Sequence, residues 1–223
     1  MKIAFFGGTF DPPHCGHLAI AKVAAERLHL DKVLFAPVGN QPLKHDSSAA
    51  NFEDRVAMVR LAVAPFPDFE VSLADAPRSN HQPNYTVDSL EQLKKSLTPE
   101  DQLFCLIGAD SFLGLQHWYR AEELLFVCDF IVAGRPGSDF AGMEKALPAG
   151  VRITGSSWIS DVLALSHLSD ESGRQSVLYF LPDLHEDISA TEIRESLAAN
   201  ASPEGVLPEA VAAYIREHNL YLS

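Results

Sequence analysis

The chain has 223 residues, of which 47% are apolar and 21% charged, and its formal net charge is −13. That balance fits one globular domain with a full core, or one domain with a small appendage, and the acidity repels a nucleic-acid backbone. Apolar runs fall short of membrane-spanning length, the amino terminus lacks a basic segment leading a long apolar one, and Cys15, Cys105 and Cys128 are odd in number and scattered; a cytoplasmic protein with reduced thiols, no membrane partner and no nucleic-acid partner is expected.

Lys2–Phe6 reads as a buried strand, and His17–Leu30 carries Ala, Val and Leu at helical spacing. Between them stands Gly7-Gly8-Thr9-Phe10-Asp11-Pro12-Pro13-His14-Cys15-Gly16-His17. Glycines allow a sharp turn and close approach to a ligand, and the following helix start offers unpaired amides and a positive dipole end to an anion. His14 and His17, spaced i, i+3, can turn both rings into one pocket and donate to phosphoryl oxygens. Zinc ligation through His14-Cys15-Gly16-His17 would need further ligands, and no CxxC or HxxxH partner follows. Nor is this a Walker A loop, since no Gly-Lys-Ser/Thr follows the glycines.

Lys32–Pro37 reads as a strand, followed by a polar loop holding Gly39, Asn40, Pro42 and Lys44. Lys44 has the position to neutralise a triphosphate or to be a solvated loop lysine. Asn51–Ala64 is a helix and Phe69–Ser72 a short strand; Thr86–Leu97 is a helix with Thr86 as N-cap. Asn84-Tyr85-Thr86 at its start offers amides to a carboxylate, or serves as a plain cap. Leu103–Ile107 is a buried strand leading into Gly108-Ala109-Asp110-Ser111, which suits a nucleotide or a capping turn equally. Trp118-Tyr119 fits stacking on a flat heterocycle or core packing.

Arg120–Val127 reads as a helix, and Phe130–Ala133 as a strand ending at Gly134-Arg135-Pro136-Gly137. Ser138–Ser176, with a strand-like Val151–Thr154 and an amphipathic Trp158–Leu165, reads as variable loops and helices, a candidate lid. Val177–Leu181 is the last central strand, and Ile188–Ala199 and Pro208–Asn219 are closing helices. Ser189 with Glu192 spells a capping box; Ser189 and Thr191 also offer hydroxyls to a phosphate, and Arg194 can reach back to it.

This alternation predicts an α/β fold: a single Rossmann-like, doubly wound, mostly parallel sheet with C-terminal helices, spanning 1–223 with a variable segment at about 138–176. Gly7–His17, Pro37–Lys44, Gly108–Ser111 and Asp187–Arg194 then gather at the carboxyl edge of the strands, where such sheets bind ligands. In so acidic a chain, Lys44, Arg55, Arg135 and Arg194 are the cations to examine around a phosphate-bearing substrate.

Taken in order, GGTFDPPHxGH, NQPLK, NYT, GADSF with HWY, GRPG and ISATEIR resemble the bacterial nicotinate-mononucleotide adenylyltransferases of the HxGH nucleotidyltransferase superfamily. The match runs over nearly the whole chain. Departures are Gln41-Pro42-Leu43-Lys44 where the family often has Pro-Pro-His-Lys, and Ser189-Ala190-Thr191 where it often has Ser-Ser-Thr. The resemblance implies that ATP and nicotinate mononucleotide give nicotinate adenine dinucleotide and pyrophosphate with Mg2+, by in-line attack without a covalent enzyme intermediate. It implies catalytic roles for His14, His17, Lys44 and Arg194. It places ATP against Gly7, Gly8, Thr9, Phe10, Gly108, Asp110, Arg135, Ser189 and Thr191, and the nicotinate end against Tyr85, Thr86, Trp118 and Tyr119. No protein metal ligand is implied. Rival readings are a nicotinamide-mononucleotide or phosphopantetheine adenylyltransferase, and a non-catalytic nucleotide-binding regulator; the oligomeric state, monomer or homo-oligomer, stays open.

Overall fold

Ile3-Ala4-Phe5-Phe6 is buried on both faces, as a central strand between two helix layers must be. It belongs to β1 (Lys2–Gly8), followed by α1 (Cys15–Leu28), β2 (Lys32–Pro37), α2 (Phe52–Val63), β3 (Phe69–Val71), α3 (Thr86–Lys95), β4 (Gln102–Gly108), α4 (Ala109–Leu113), α5 (Ala121–Leu124) and β5 (Asp129–Ala133). Then come α6 (Phe140–Lys145), β6 (Arg152–Ser160), β7 (Leu163–Ser169), β8 (Gln175–Leu181), α7 (Ala190–Ala198) and α8 (Glu209–Glu217). The computed structural model describes residues 1–40, 49–79, 82–134, 140–160, 163–182, 188–201 and 205–222. No helix among the described residues is long and apolar enough to cross a membrane.

Among the described residues the strands form one eight-stranded sheet in the order β3-β2-β1-β4-β5-β8-β7-β6. Every pairing from β3 across to β8 is parallel, so those six strands deliver their carboxyl ends to one edge. The chain order reverses between β1 and β4, the place where doubly wound sheets bind their ligands.

Strand alternation sends neighbouring residues to opposite layers. Ile3, Phe5, Leu103, Cys105 and Phe130 pack beneath Val87 and Leu90 of α3 and Phe112 of α4. Ala4, Phe6, Phe35, Phe104 and Ile131 pack against Ala21 and Ala24 of α1 and Val59 of α2. A third cluster joins Met58 and Ala62 of α2 to Ile193 of α7 and Val211 and Ile215 of α8, which brings the carboxyl-terminal helices onto the amino-terminal half of the fold. Cys105 and Cys128 are buried, and the described cysteines are free thiols.

The segment read as loops, helices and a lid is largely sheet. Beyond α6, β6 and β7 form an antiparallel hairpin that extends the sheet from β8, so Trp158–Leu165 is not one amphipathic helix but the end of β6 and the start of β7. Residues 161–162 lie outside the described residues. Leu163, Ala164, Ser166 and Leu168 are buried in β7, but the pattern is blurred because β6 is an edge strand with most of its residues exposed. One boundary also moves: α3 has Tyr85, not Thr86, as its N-cap.

Candidate active site

The glycine-rich turn leaves β1 beside β2, where the Val38 amide donates 2.9 Å to the Gly8 carbonyl. A side chain on Gly8 would press on the Phe10 ring, 3.1 Å from its Cβ. Phe10 is buried with a left-handed backbone, φ 51°, and its ring stands edge-on to His17 with centroids 5.0 Å apart. Packing under the motif therefore fixes one wall of the histidine site.

His14 is the N-cap of α1 and His17 lies in its first turn. Their rings lie against each other, with centroids 3.7 Å apart and planes tilted by 31°. The His14 backbone amide donates 3.2 Å to His17 Nδ1. A neutral imidazole that accepts at Nδ1 carries its proton on Nε2, so His17 presents an N–H donor away from the helix. Burial, with His14 alongside, holds the His17 ring well below the usual imidazole range. The bond accepted at Nδ1 and this downward shift both favour a neutral His17 ring that donates at Nε2.

α7 brings Arg194 to the same loop: its Nη1 donates 2.8 Å to the Asp11 carbonyl, and its Nη2 lies 3.3 Å from Thr191 Oγ1. Ser189 is the N-cap of α7 as expected, but its side chain makes no capping bond; the Ser189–Glu192 capping box is not formed, which leaves the first amides of α7 uncapped by Ser189. Arg55, a candidate cation for phosphate by its sequence, is structural instead. It is buried, and its guanidinium donates 2.7 Å to the Thr9 carbonyl and 2.8 Å to the Val38 carbonyl. Lys44, Arg135 and Asp187 lie outside the described residues.

Gly108 ends β4 and caps α4, and a Cβ built on it meets nothing within 4 Å. Asp110 follows, exposed, in the first turn of α4. On the other side, Asn84 locks the start of α3. Its Oδ1 accepts from the Asn40 amide at 2.9 Å and its Nδ2 donates 2.8 Å to the Ala76 carbonyl. Gly39 must be glycine there, since a Cβ would fall 2.4 Å from the Pro77 nitrogen. Ser89 donates 2.7 Å to buried Asp75, whose carboxyl is pushed up by burial.

Tyr85, at the head of α3, and Tyr119 face each other with ring centroids 4.2 Å apart. They share an open cavity of about 330 Å³ with Arg78, Gln82, Pro83 and Asp88. Tyr119 is exposed, but Trp118 is half-buried against the core beneath α3. A larger cavity, about 410 Å³, opens at the opposite edge among the starts of β4, β5 and β8, far from every motif. Chemistry, not size, marks the site.

Asp11, Arg55 and Asn84 escaped the sequence reading as supports of the site. Asp11 had a signal, since it sits between Phe10 and the two prolines; Arg55 had none that distinguishes a buried arginine from a surface one.

Residues 5–196 match the model of the cytidylyltransferase-like family. A probable nicotinate-nucleotide adenylyltransferase of Solibacter usitatus is 37% identical over 221 residues, covering 99% of this chain and 100% of that protein. Its counterpart in Pseudomonas syringae pv. tomato is 38% identical over 220 residues, covering 99% of this chain and 93% of the other. The fold resembles that of the Plasmodium falciparum nicotinic acid mononucleotide adenylyltransferase complexed with NaAD, with a TM-score of 0.71 at 18% identity and coverage of 99% and 97% of the two chains.

Proposed function

The chain belongs to the cytidylyltransferase-like family and, within it, to the nicotinate-nucleotide adenylyltransferases, and from that premise we propose how its own residues carry the adenylyl group of ATP to nicotinate mononucleotide. The observation that carries this reading is the close His14–His17 ring pair at the head of α1, with Arg194 anchored on the same loop.

The nucleophile is the phosphate of the mononucleotide, already anionic, so no general base is needed. One of its oxygens bonds to the α-phosphorus of ATP as the bond from that phosphorus to the β-bridging oxygen breaks. Pyrophosphate leaves with the electron pair. Charge gathers on the α-phosphoryl oxygens and the leaving group, and fixed donors there lower the barrier most. Neutral His17 Nε2–H, His14, Arg194 and Lys44 supply them, with the amides of α1 and α7 and the hydroxyls of Ser189 and Thr191 around the triphosphate.

Gly7, Gly8, Thr9 and Phe10 shape the floor, and Gly108 and Asp110 the nucleotide cleft, with Arg135 on the triphosphate. Tyr85, Tyr119 and Trp118 hold the pyridine ring, and the amides at Thr86 meet its carboxylate. The donors at the phosphate end are imidazole and guanidinium, which suit phosphate oxygens and not a hard cation, so Mg2+ fits as a companion of ATP. When bound it neutralises triphosphate charge. The enzyme works on these small molecules in the cytoplasm, without nucleic acid.

The test is pyrophosphate release from ATP and Mg2+ with nicotinate mononucleotide, nicotinamide mononucleotide or phosphopantetheine as acceptor. Strong preference for the nicotinate compound is expected; equal rates with its amide would refute recognition of the carboxylate.

A further inference from the structure

We propose that Tyr221 is a positioning residue for this reaction, acting through the Asp11 carboxylate to hold the histidine loop and the approach to α2 in one arrangement. The proposal rests on the reading of His14 and His17 as the phosphate-binding pair.

Asp11 is 4% exposed. Its Oδ1 accepts from the Tyr221 hydroxyl at 2.6 Å and from the Ala50 amide at 3.1 Å, and its Oδ2 accepts from the Ala49 amide at 2.7 Å. One carboxylate thus gathers three segments distant in sequence: the motif loop, the residues ahead of α2, and the tail beyond α8. The carbonyl of the same residue takes the Arg194 bond, and His14 comes three positions later. A shift of Asp11 therefore moves the anchor of Arg194 and the approach to the histidines together.

A buried carboxylate is tolerated only when its lone pairs are met, and the tyrosine hydroxyl is its shortest bond among those described. Two further observations fit this role. Its backbone is left-handed, φ 63°, a conformation that a bulky residue adopts only when its surroundings impose it. Its ring packs with the cluster joining α2, α7 and α8, so the hydroxyl reaches Asp11 from a rigid base. Burial and the bond to Asp11 also keep the phenol protonated far above physiological pH, so the donor is constant across the working range.

Tyr221→Phe keeps the ring and removes the donor. Expected is a fall in kcat of about tenfold with KM for ATP and nicotinate mononucleotide changed by less than about twofold, since small displacements of positioned groups cost rate before binding. In hydrogen exchange, the Ala49 and Ala50 amides should exchange about tenfold faster, while amides of β4 keep their rates. Adding Tyr221→Phe to Asp11→Asn should cost no further kcat, because the two act as one unit.

Unchanged kcat in Tyr221→Phe, beside an active parent, overturns the proposal. So does faster exchange throughout the protein, which marks a merely structural role. If the parent itself does not turn over nicotinate mononucleotide, the functional reading fails; exchange at Ala49 and Ala50 then decides whether the Tyr221–Asp11 bond holds the loop, and unchanged rates overturn it.

Discussion

Gly108→Ala separates a folding role from a ligand role at one atom. The Gly108 backbone, φ −74° and ψ 154°, is open to any residue, and a Cβ there meets nothing within 4 Å. Two small terms act on stability. Alanine is a poorer N-cap than glycine by about 0.5 kcal/mol, whereas it narrows the unfolded chain and gains about 0.4–1 kcal/mol. They nearly cancel, and Tm should stay within about 2 °C of the parent. Binding is different. If ATP lies over this turn, the new methyl intrudes on it, and overpacking of that size costs about 1–3 kcal/mol. That is about 5- to 150-fold in kcat/KM. Thermal melts and steady-state pyrophosphate release with each substrate varied provide both readings. A variant of parental stability with parental kcat/KM for both substrates would refute placement of the nucleotide at the end of β4.

His17→Ala should lower kcat by about 100-fold or more, the usual cost of removing one donor aimed at developing charge; near-normal turnover would remove His17 from the mechanism. Arg55→Met should cost about 2–4 kcal/mol, because two carbonyls, the buried one of Val38 and the part-buried one of Thr9, lose charge-assisted donors, partly offset by no longer burying a charge whose pKa desolvation lowers. Melting about 5–15 °C lower is expected, and a loss under about 1 kcal/mol would show that the carbonyls find other partners. The lowered His17 pKa sets a pH dependence. Between that value and the unfolded value of about 6.5, the unfolded chain binds a proton that the native state refuses, so stability falls as pH falls through this window. Urea titrations at stepped pH should show that slope and its loss in His17→Ala; identical slopes would contradict the burial argument.

The parallel half of the fold was legible because its strands are continuous apolar runs, such as Val33-Leu34-Phe35-Ala36-Pro37, and its helices repeat at helical spacing. The histidine pair was legible from spacing alone. Three things were not. The β6–β7 hairpin is legible only at the strand-like Val151–Thr154; beyond it most residues of the edge strand β6 are exposed, and no buried face sets a period. Arg55 reads as a candidate cation for a phosphate-bearing substrate, and only the fold shows it turned inward to the carbonyls of Thr9 and Val38. The Asp11–Tyr221 bond joins residues at opposite ends of the chain, and neither residue type announces such a partner.

The two rims of the sheet bear on how this protein behaves when crowded with copies of itself. An exposed strand edge is a template on which another chain can add a strand, and long flat edges seed aggregation. Here one rim is β3, only 3 residues long. The other is β6, whose register with β7 is broken between Ile153 and Gly155 and again between Trp158 and Ser160. Brevity blunts the first rim and irregularity the second, so Trp158 and Ile159 can stand exposed at 61% and 58% on an edge that offers no even ladder for a stranger to join.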